Sequence, residues 1–264
     1  MEFFCTCNSL PVHVSDTKTG SKTIVLLHGY LETLYIWEEF TALLSPFYRV
    51  VSVDLPGHGL SGSYSVNTME KCAEVVKSVL DNLGITNAVI AGHSMGGYVA
   101  VEAIKLYPSL FSALIMINST PFADPPEKIE DRQREIEIIK QNKIHTLIKL
   151  AVSNMFSKAN LSKMEEKIVE ISEIAEVHDP EGIAASLKGL IIRNDNTQFL
   201  SNLSFPIIFI FGEHDNYISK EKRESIISSL PRAKFHTLSQ SGHNSFIEEP
   251  QICAQPIIDF INSL

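Results

Sequence analysis

Eight short runs rich in apolar residues mark out the chain, at 3–7, 12–16, 23–27, 49–53, 87–92, 113–117, 206–212 and 234–238. Several, such as TIVLL at 23–27, are continuous rather than alternating with polar residues, as a strand covered on both faces requires. Between most of them lie stretches with helical spacing. Over 69–83, for example, Cys72, Val75, Val76, Val79, Leu80 and Leu83 fall on one helix face. The first two runs read as an antiparallel pair. Strands that alternate with helices predict an α/β fold, a mostly parallel eight-stranded sheet flanked by helices. In such sheets the carboxyl ends of the strands form the reactive edge.

The alternation stops between 121 and 201. There Ile136, Ile139, Ile144, Leu147, Ile148 and Ala151, then Met164, Ile168, Ile171 and Ile174, repeat at helical spacing, and no strand is evident. The expected organisation is an α/β core, residues 1–120 and 202–264, with a helical lid inserted at 121–201 over the sheet edge. The mixed charges of the insertion fit a solvated outer face above an apolar underside, and that underside is placed to wall a substrate pocket. Pro256 falls inside the last helical stretch, where it should remove one intrahelical bond and kink the helix.

Composition narrows the function. The 264 residues, 44% hydrophobic and 20% charged, suffice for a sizeable core with no long disordered stretch. A net charge of -9 and a pI near 5.5 argue against a nucleic-acid partner, which would meet a basic face. No run approaches a membrane span, and the opening MEFFCTCNSLPVHVSD lacks the basic and apolar regions of a secretory signal. A cytoplasmic protein, monomer or homodimer, is expected. Cys5, Cys7, Cys72 and Cys253 are too scattered for zinc, and Cys5 and Cys7 would share one strand face, the wrong arrangement for a disulfide. They read as reduced, packed thiols.

The chemistry concentrates at Gly92-His93-Ser94-Met95-Gly96, which fits Gly-x-Ser-x-Gly directly after a strand and before a helix. In so sharp a turn the serine takes a strained conformation, and side chains at 92 and 96 would collide with the neighbouring strand and helix, so Gly92 and Gly96 have a steric role. A serine hydroxyl needs a base, and the base needs an orienting acid. Of nine histidines, His13, His145 and His178 lie in an early strand or the insertion and read as packed or solvated; His28, His58 and His93 flank turn glycines and read as backbone partners. His243 differs, since SQSGHNSF follows the last strand at the reactive edge. Asp215, in GEHDNYI, follows the strand at 206–212 at the same edge, and its neighbour Glu213 precedes the bend and could face solvent. Ser94, Asp215 and His243 stand in the chain order of the α/β-hydrolase triad.

Five motifs in order, LLHGY (26–30), DLPGHGLS (54–61), AGHSMGG (91–97), GEHD (212–215) and SGHNSFIEEP (241–250), resemble the small, lid-bearing α/β-hydrolases. That group includes carboxylesterases, carbon-carbon bond hydrolases and a menaquinone-pathway enzyme. The resemblance implies an oxyanion hole built from the backbone N–H groups of Tyr30 and Met95. It also implies catalysis by Ser94, Asp215 and His243 on a small ester, thioester or lactone through an acyl-enzyme, with no metal or organic cofactor. Asp54, Gly57, His58 and Gly59 read as turn chemistry, and Trp37 as packing beneath the oxyanion loop. Two departures matter. Tyr98 stands where the menaquinone-pathway enzyme is expected to carry an arginine, and Asn118 and Ser119 stand where some members place the acid, leaving Asp215 nearly unopposed. Carbon-carbon cleavage or elimination on the same triad, and a slow-turnover ligand receptor, are the alternative readings; a structural protein with Ser94 as a mere turn residue would resist an active-site phosphonate. Arg132, Arg134, Lys188 and Arg193 in the insertion could receive a substrate carboxylate.

Overall fold

All eight runs form strands in the computed structural model, which describes residues 1–264. They are β1 (Glu2–Cys7), β2 (Leu10–Asp16), β3 (Thr23–Leu27), β4 (Arg49–Val53), β5 (Ala88–His93), β6 (Phe111–Ile117), β7 (Ile207–Gly212) and β8 (Lys234–Leu238). They make one sheet in the order β1-β2-β4-β3-β5-β6-β7-β8. β2 runs antiparallel to both β1 and β4, and every pairing from β4 to β8 is parallel. Every residue of β5 and β7 is buried, as their unbroken apolar sequences require, so helices must cover both faces.

Helices α1 (Glu38–Leu44), α2 (Met69–Asn82) and α3 (Met95–Leu106) follow β3, β4 and β5. The apolar face expected at 69–83 is the buried face of α2, and α3 lies on β3, β5 and β6. Between β6 and β7 come five helices and no strand: α4 (Pro126–Lys140), α5 (Ile144–Asn154), α6 (Glu165–Glu176), α7 (Pro180–Ile191) and α8 (Thr197–Asn202). The chain ends with α9 (Lys220–Ser229), α10 (Ser245–Glu248) and α11 (Pro250–Asn262). Pro256 lies inside α11, which continues past it. One contiguous apolar core of 71 buried residues includes Ile136, Ile148 and Phe156 from the segment between β6 and β7. No helix is long and apolar enough to cross a membrane.

That segment is fastened to the rest of the core on two sides. Asn67 donates from its side-chain amide to the carbonyl oxygens of Pro56 and Gly182 and to Ser186 Oγ, gripping the start of α7. Gly57, at φ +83°, lies so close to Gly182 that a Cβ would strike its carbonyl. At the other side Glu248 accepts the N–H groups of Ser157 (2.9 Å) and Gly242 (2.6 Å) and the Asn160 amide (2.7 Å). The carbonyl of Met155 accepts the N–H of His243 at 2.8 Å.

Candidate active site

Because β3 to β8 are parallel, the residues that follow them emerge along one edge. Tyr30 follows β3, Ser94 follows β5, Asn118 follows β6, Asp215 follows β7 and His243 follows β8. The elbow is strained as its sequence predicts: Ser94 has φ 48° and ψ -112°. A Cβ on Gly92 would strike the Gly96 carbonyl, and one on Gly96 would strike the Leu27 carbonyl. Only glycine lets β5, β3 and the start of α3 approach this closely.

His243 Nδ1 lies 2.9 Å from Asp215 Oδ2. The same oxygen accepts the Asn118 amide at 2.9 Å, and Oδ1 accepts the N–H groups of Tyr217 (2.7 Å) and Ile218 (3.0 Å). Burial alone would raise the Asp215 carboxyl, but the adjacent His243, together with hydrogen bonds from His243, Asn118 and the Tyr217 N–H, holds it below the usual carboxylate value. A fixed carboxylate on Nδ1 leaves Nε2 as the free nitrogen of the ring. Ser94 and His243 line the same cavity, of about 640 Å³, although no hydrogen bond joins Oγ to the imidazole here; resting sites of this kind commonly tighten on binding. The backbone N–H groups of Tyr30 and Met95 donate to no acceptor within the protein. The cavity also draws its walls from α4, α5 and α7, through Arg132, Leu147 and Leu190.

Residues beyond those singled out in the sequence complete the arrangement. Asn118, at φ 44°, also donates to the Gly242 carbonyl at 3.1 Å and accepts from Ser245 Oγ, so it fastens the Asp215 loop to the His243 loop. Ser119 donates to the Ser94 carbonyl at 2.7 Å. The sequence signal for both was their position after β6, where other members place an acid. His93 is more than a backbone partner. Its Nδ1 lies 2.9 Å from Glu32 Oε2 and its Nε2 lies 3.0 Å from the His243 carbonyl. Both nitrogens face acceptors, so the ring is held at each of its polar atoms between Glu32 and the His243 loop. Burial would raise the Glu32 carboxyl, and His93 with the Gly29 N–H lowers it.

The remaining candidates divide. His28 accepts the Leu55 N–H at 2.9 Å and His58 Nδ1 lies 3.4 Å from the Pro56 carbonyl, as backbone partners should, while His58 Nε2 has no partner. His13 is buried against Asp54, His145 is exposed and His178 is buried. Glu213 is exposed and pairs with Arg223. Trp37 is fully buried against Phe246, Phe40 and His93 and is absent from the cavity wall. All four cysteines are free, with Cys5 and Cys7 sulfurs 3.4 Å apart and Cys5 half-buried. Arg134 and Lys188 are corrections: both are exposed and neither lines the cavity. Arg132 and Arg193 do line it, yet both are paired with Asp124, and Arg193 stacks 4.2 Å over the Tyr98 ring.

A mostly parallel sheet with a serine elbow, an acid and a histidine at one edge defines the α/β-hydrolase class. The profile of the α/β-hydrolase fold family matches residues 22–250, and this chain belongs to that family. It is similar to the 2-hydroxy-6-oxononadienedioate/2-hydroxy-6-oxononatrienedioate hydrolase of Paraburkholderia phymatum, at 26% identity over 96% of this chain and 91% of the relative. It is also similar to the pimeloyl-[acyl-carrier protein] methyl ester esterase of Photobacterium profundum, at 25% identity over 93% and 97%. Among solved structures, a thermophilic esterase from Thermogutta terrifontis superposes with a TM-score of 0.93 at 26% identity, covering 100% of this chain and 98% of that one.

Proposed function

We propose that the protein is a serine hydrolase that cleaves a small carboxylic ester, thioester or lactone through an acyl-enzyme on Ser94. The observation that carries this reading is the convergence, at one cavity, of a strained serine, a histidine held on a buried carboxylate and two unbonded backbone N–H groups. His243 takes the Ser94 proton as Oγ bonds to the substrate carbonyl carbon. The Tyr30 and Met95 N–H groups receive the oxyanion, each such donor contributing about 3 kcal/mol to lowering the barrier. His243 then returns the proton to the leaving group as its bond to carbon breaks. Water, deprotonated by the same imidazole, releases the acid and regenerates Ser94. Asp215 fixes the tautomer and stabilises the imidazolium throughout. The helices of 121–201 act as the lid that shapes the acyl pocket. The esterases among the similar proteins support ester chemistry.

The test is hydrolysis of 4-nitrophenyl esters of graded acyl length by the wild type and by Ser94→Ala, with the early burst resolved. Repeated turnover, lost in the variant by about 10⁶-fold in kcat, is the expected result. A burst without turnover would overturn it in favour of a receptor. Phosphonate labelling of Ser94 without any ester cleavage would overturn it in favour of carbon-carbon cleavage or elimination on the same residues.

A further inference from the structure

The cavity wall is cationic in an acidic protein. Lys128, Arg132, Arg193 and Lys222 line it against Asp124 and Glu135, four cations to two acids, in a chain of net charge -9. Asp124 lies between two of the cations, 2.5 Å from Arg132 Nε and 2.6 Å from Arg193 Nη1, and so accounts for only one charge of that pair. Arg193 also donates to the Leu190 and Phe122 carbonyls, but its Nε is buried without a partner although the side chain is only 5% exposed. Native structures rarely leave such a donor unused. Lys222 reaches nothing closer than the Tyr217 carbonyl at 3.5 Å, and Lys128 has no carboxylate oxygen within 4.0 Å.

The placement of the two lysines is unfavourable for the free fold. Each is the third residue of its helix, Lys128 in α4 and Lys222 in α9. The positive end of the helix dipole lies there, and it destabilises a cation while it stabilises an anion. Solvated lysines on an outer face would explain the charges, but both are half-buried and line the cavity. Burial, followed by the neighbouring Arg193 charge, lowers the Lys222 ammonium below its ordinary value. Glu135, the other acid of the wall, is pushed up, chiefly by burial, and makes no ion pair with either lysine. The cavity therefore holds positive charge that the protein itself does not satisfy.

We infer that the acyl group this site accepts ends in a carboxylate, held by Lys128 and Lys222 while its ester carbonyl lies at Ser94. This rests on the ester reading above and names the substrate class within it: half-esters of dicarboxylic acids. Charge-assisted bonds to a carboxylate in a partly desolvated cavity are the strong kind, and the positive wall also draws an anion in from solution.

The experiment compares 4-nitrophenyl hydrogen adipate with 4-nitrophenyl hexanoate, which share leaving group and acyl length and differ in the terminal charge. In the wild type kcat/KM for the adipate ester should exceed that for hexanoate by about tenfold or more, a preference that shrinks as salt rises. In the Lys128→Met/Lys222→Met double variant the ratio should fall close to one. The ratio is read on one sample, so a loss of folded enzyme cancels from it. A wild-type ratio at or below one, or a preference that survives in the double variant, would overturn the inference while leaving the ester reading intact. If neither ester is cleaved and Ser94 resists the phosphonate, the ester reading fails and takes this inference with it.

Discussion

At the scale of single residues, the site depends on groups that touch no substrate. Asn118 joins the Asp215 carboxylate, the Gly242 carbonyl and the Ser245 hydroxyl. Asn118→Ala removes a donor from the carboxylate and leaves a buried carbonyl and hydroxyl unpaired. It should lower kcat by about tenfold to a hundredfold through misplacement of His243. KM should change little, because the Asn118 side chain is engaged by Asp215 and the His243 loop rather than by the acyl group in the proposed reaction; a rise in KM with kcat intact would contradict this. Gly96→Ala tests the elbow itself. Its Cβ would meet the Leu27 carbonyl, which belongs to the central strand β3 and cannot give way. A loss of about 1–3 kcal/mol in urea unfolding is expected, together with reduced activity, since Met95 and its N–H must shift with the strand.

At the scale of elements, three imidazoles form a seam between the sheet edge and the segment inserted after β6. His28 follows β3, His58 follows β4 and His178 lies between α6 and α7, with ring centroids 5.1 Å apart for His28 and His58 and 5.5 Å for His58 and His178. Burial lowers His58 well below its ordinary 6.5, assisted by the neighbouring rings, and burial lowers His28 as well. Above pH 6.5 these two groups are neutral in both folded and unfolded chains and contribute no pH dependence. As pH falls through 6.5 the unfolded chain takes up protons that the folded chain resists, so stability declines toward acid. Glu135 and Glu248, both raised chiefly by burial, act in the opposite sense at lower pH, and Asp215 adds to the decline only below its ordinary 3.8. Urea midpoints between pH 7 and pH 5 should therefore fall more steeply in the wild type than in His58→Asn; parallel slopes would remove the seam as the cause.

How much of this was legible in the sequence follows from where the signal sits. The strands were legible because fully buried strands are continuous apolar runs, and the elbow because its glycines are forced by backbone contact. The helices of 121–201 were legible as a class from their spacing. Lys128 and Lys222 were not, because a lysine near a helix start looks solvated until the fold closes a cavity around it. Arg134 and Lys188 looked equivalent to Arg132 and Arg193; Arg134 falls on the outer face of α4 and Lys188 on that of α7, whereas Arg132 faces inward from α4 and Arg193 lies in the turn after α7. Asn118 was visible only as a missing acid, since its three partners lie far away in the sequence, after β7 and β8.

At the scale of the whole molecule, sheet and inserted helices share one core. Ile136, Ile148 and Phe156 belong to the same contiguous apolar cluster as β5 and β7, and Glu248 and Met155 tie the segment to the His243 loop by buried hydrogen bonds. Losing the segment alone would expose that surface and strand those groups. Unfolding should thus be a single transition, with helix content and Trp37 fluorescence coinciding on one denaturant curve; two separated curves would mean that the segment melts by itself. The strand order has a further consequence during synthesis. From β3 outward the sheet grows as β5, β6, β7 and β8 leave the ribosome, each added to the free edge of the one before. Ser94 follows β5, but Asp215 and His243 follow the last two strands, so the growing chain carries its serine elbow without the acid and the imidazole beside it until translation is nearly done.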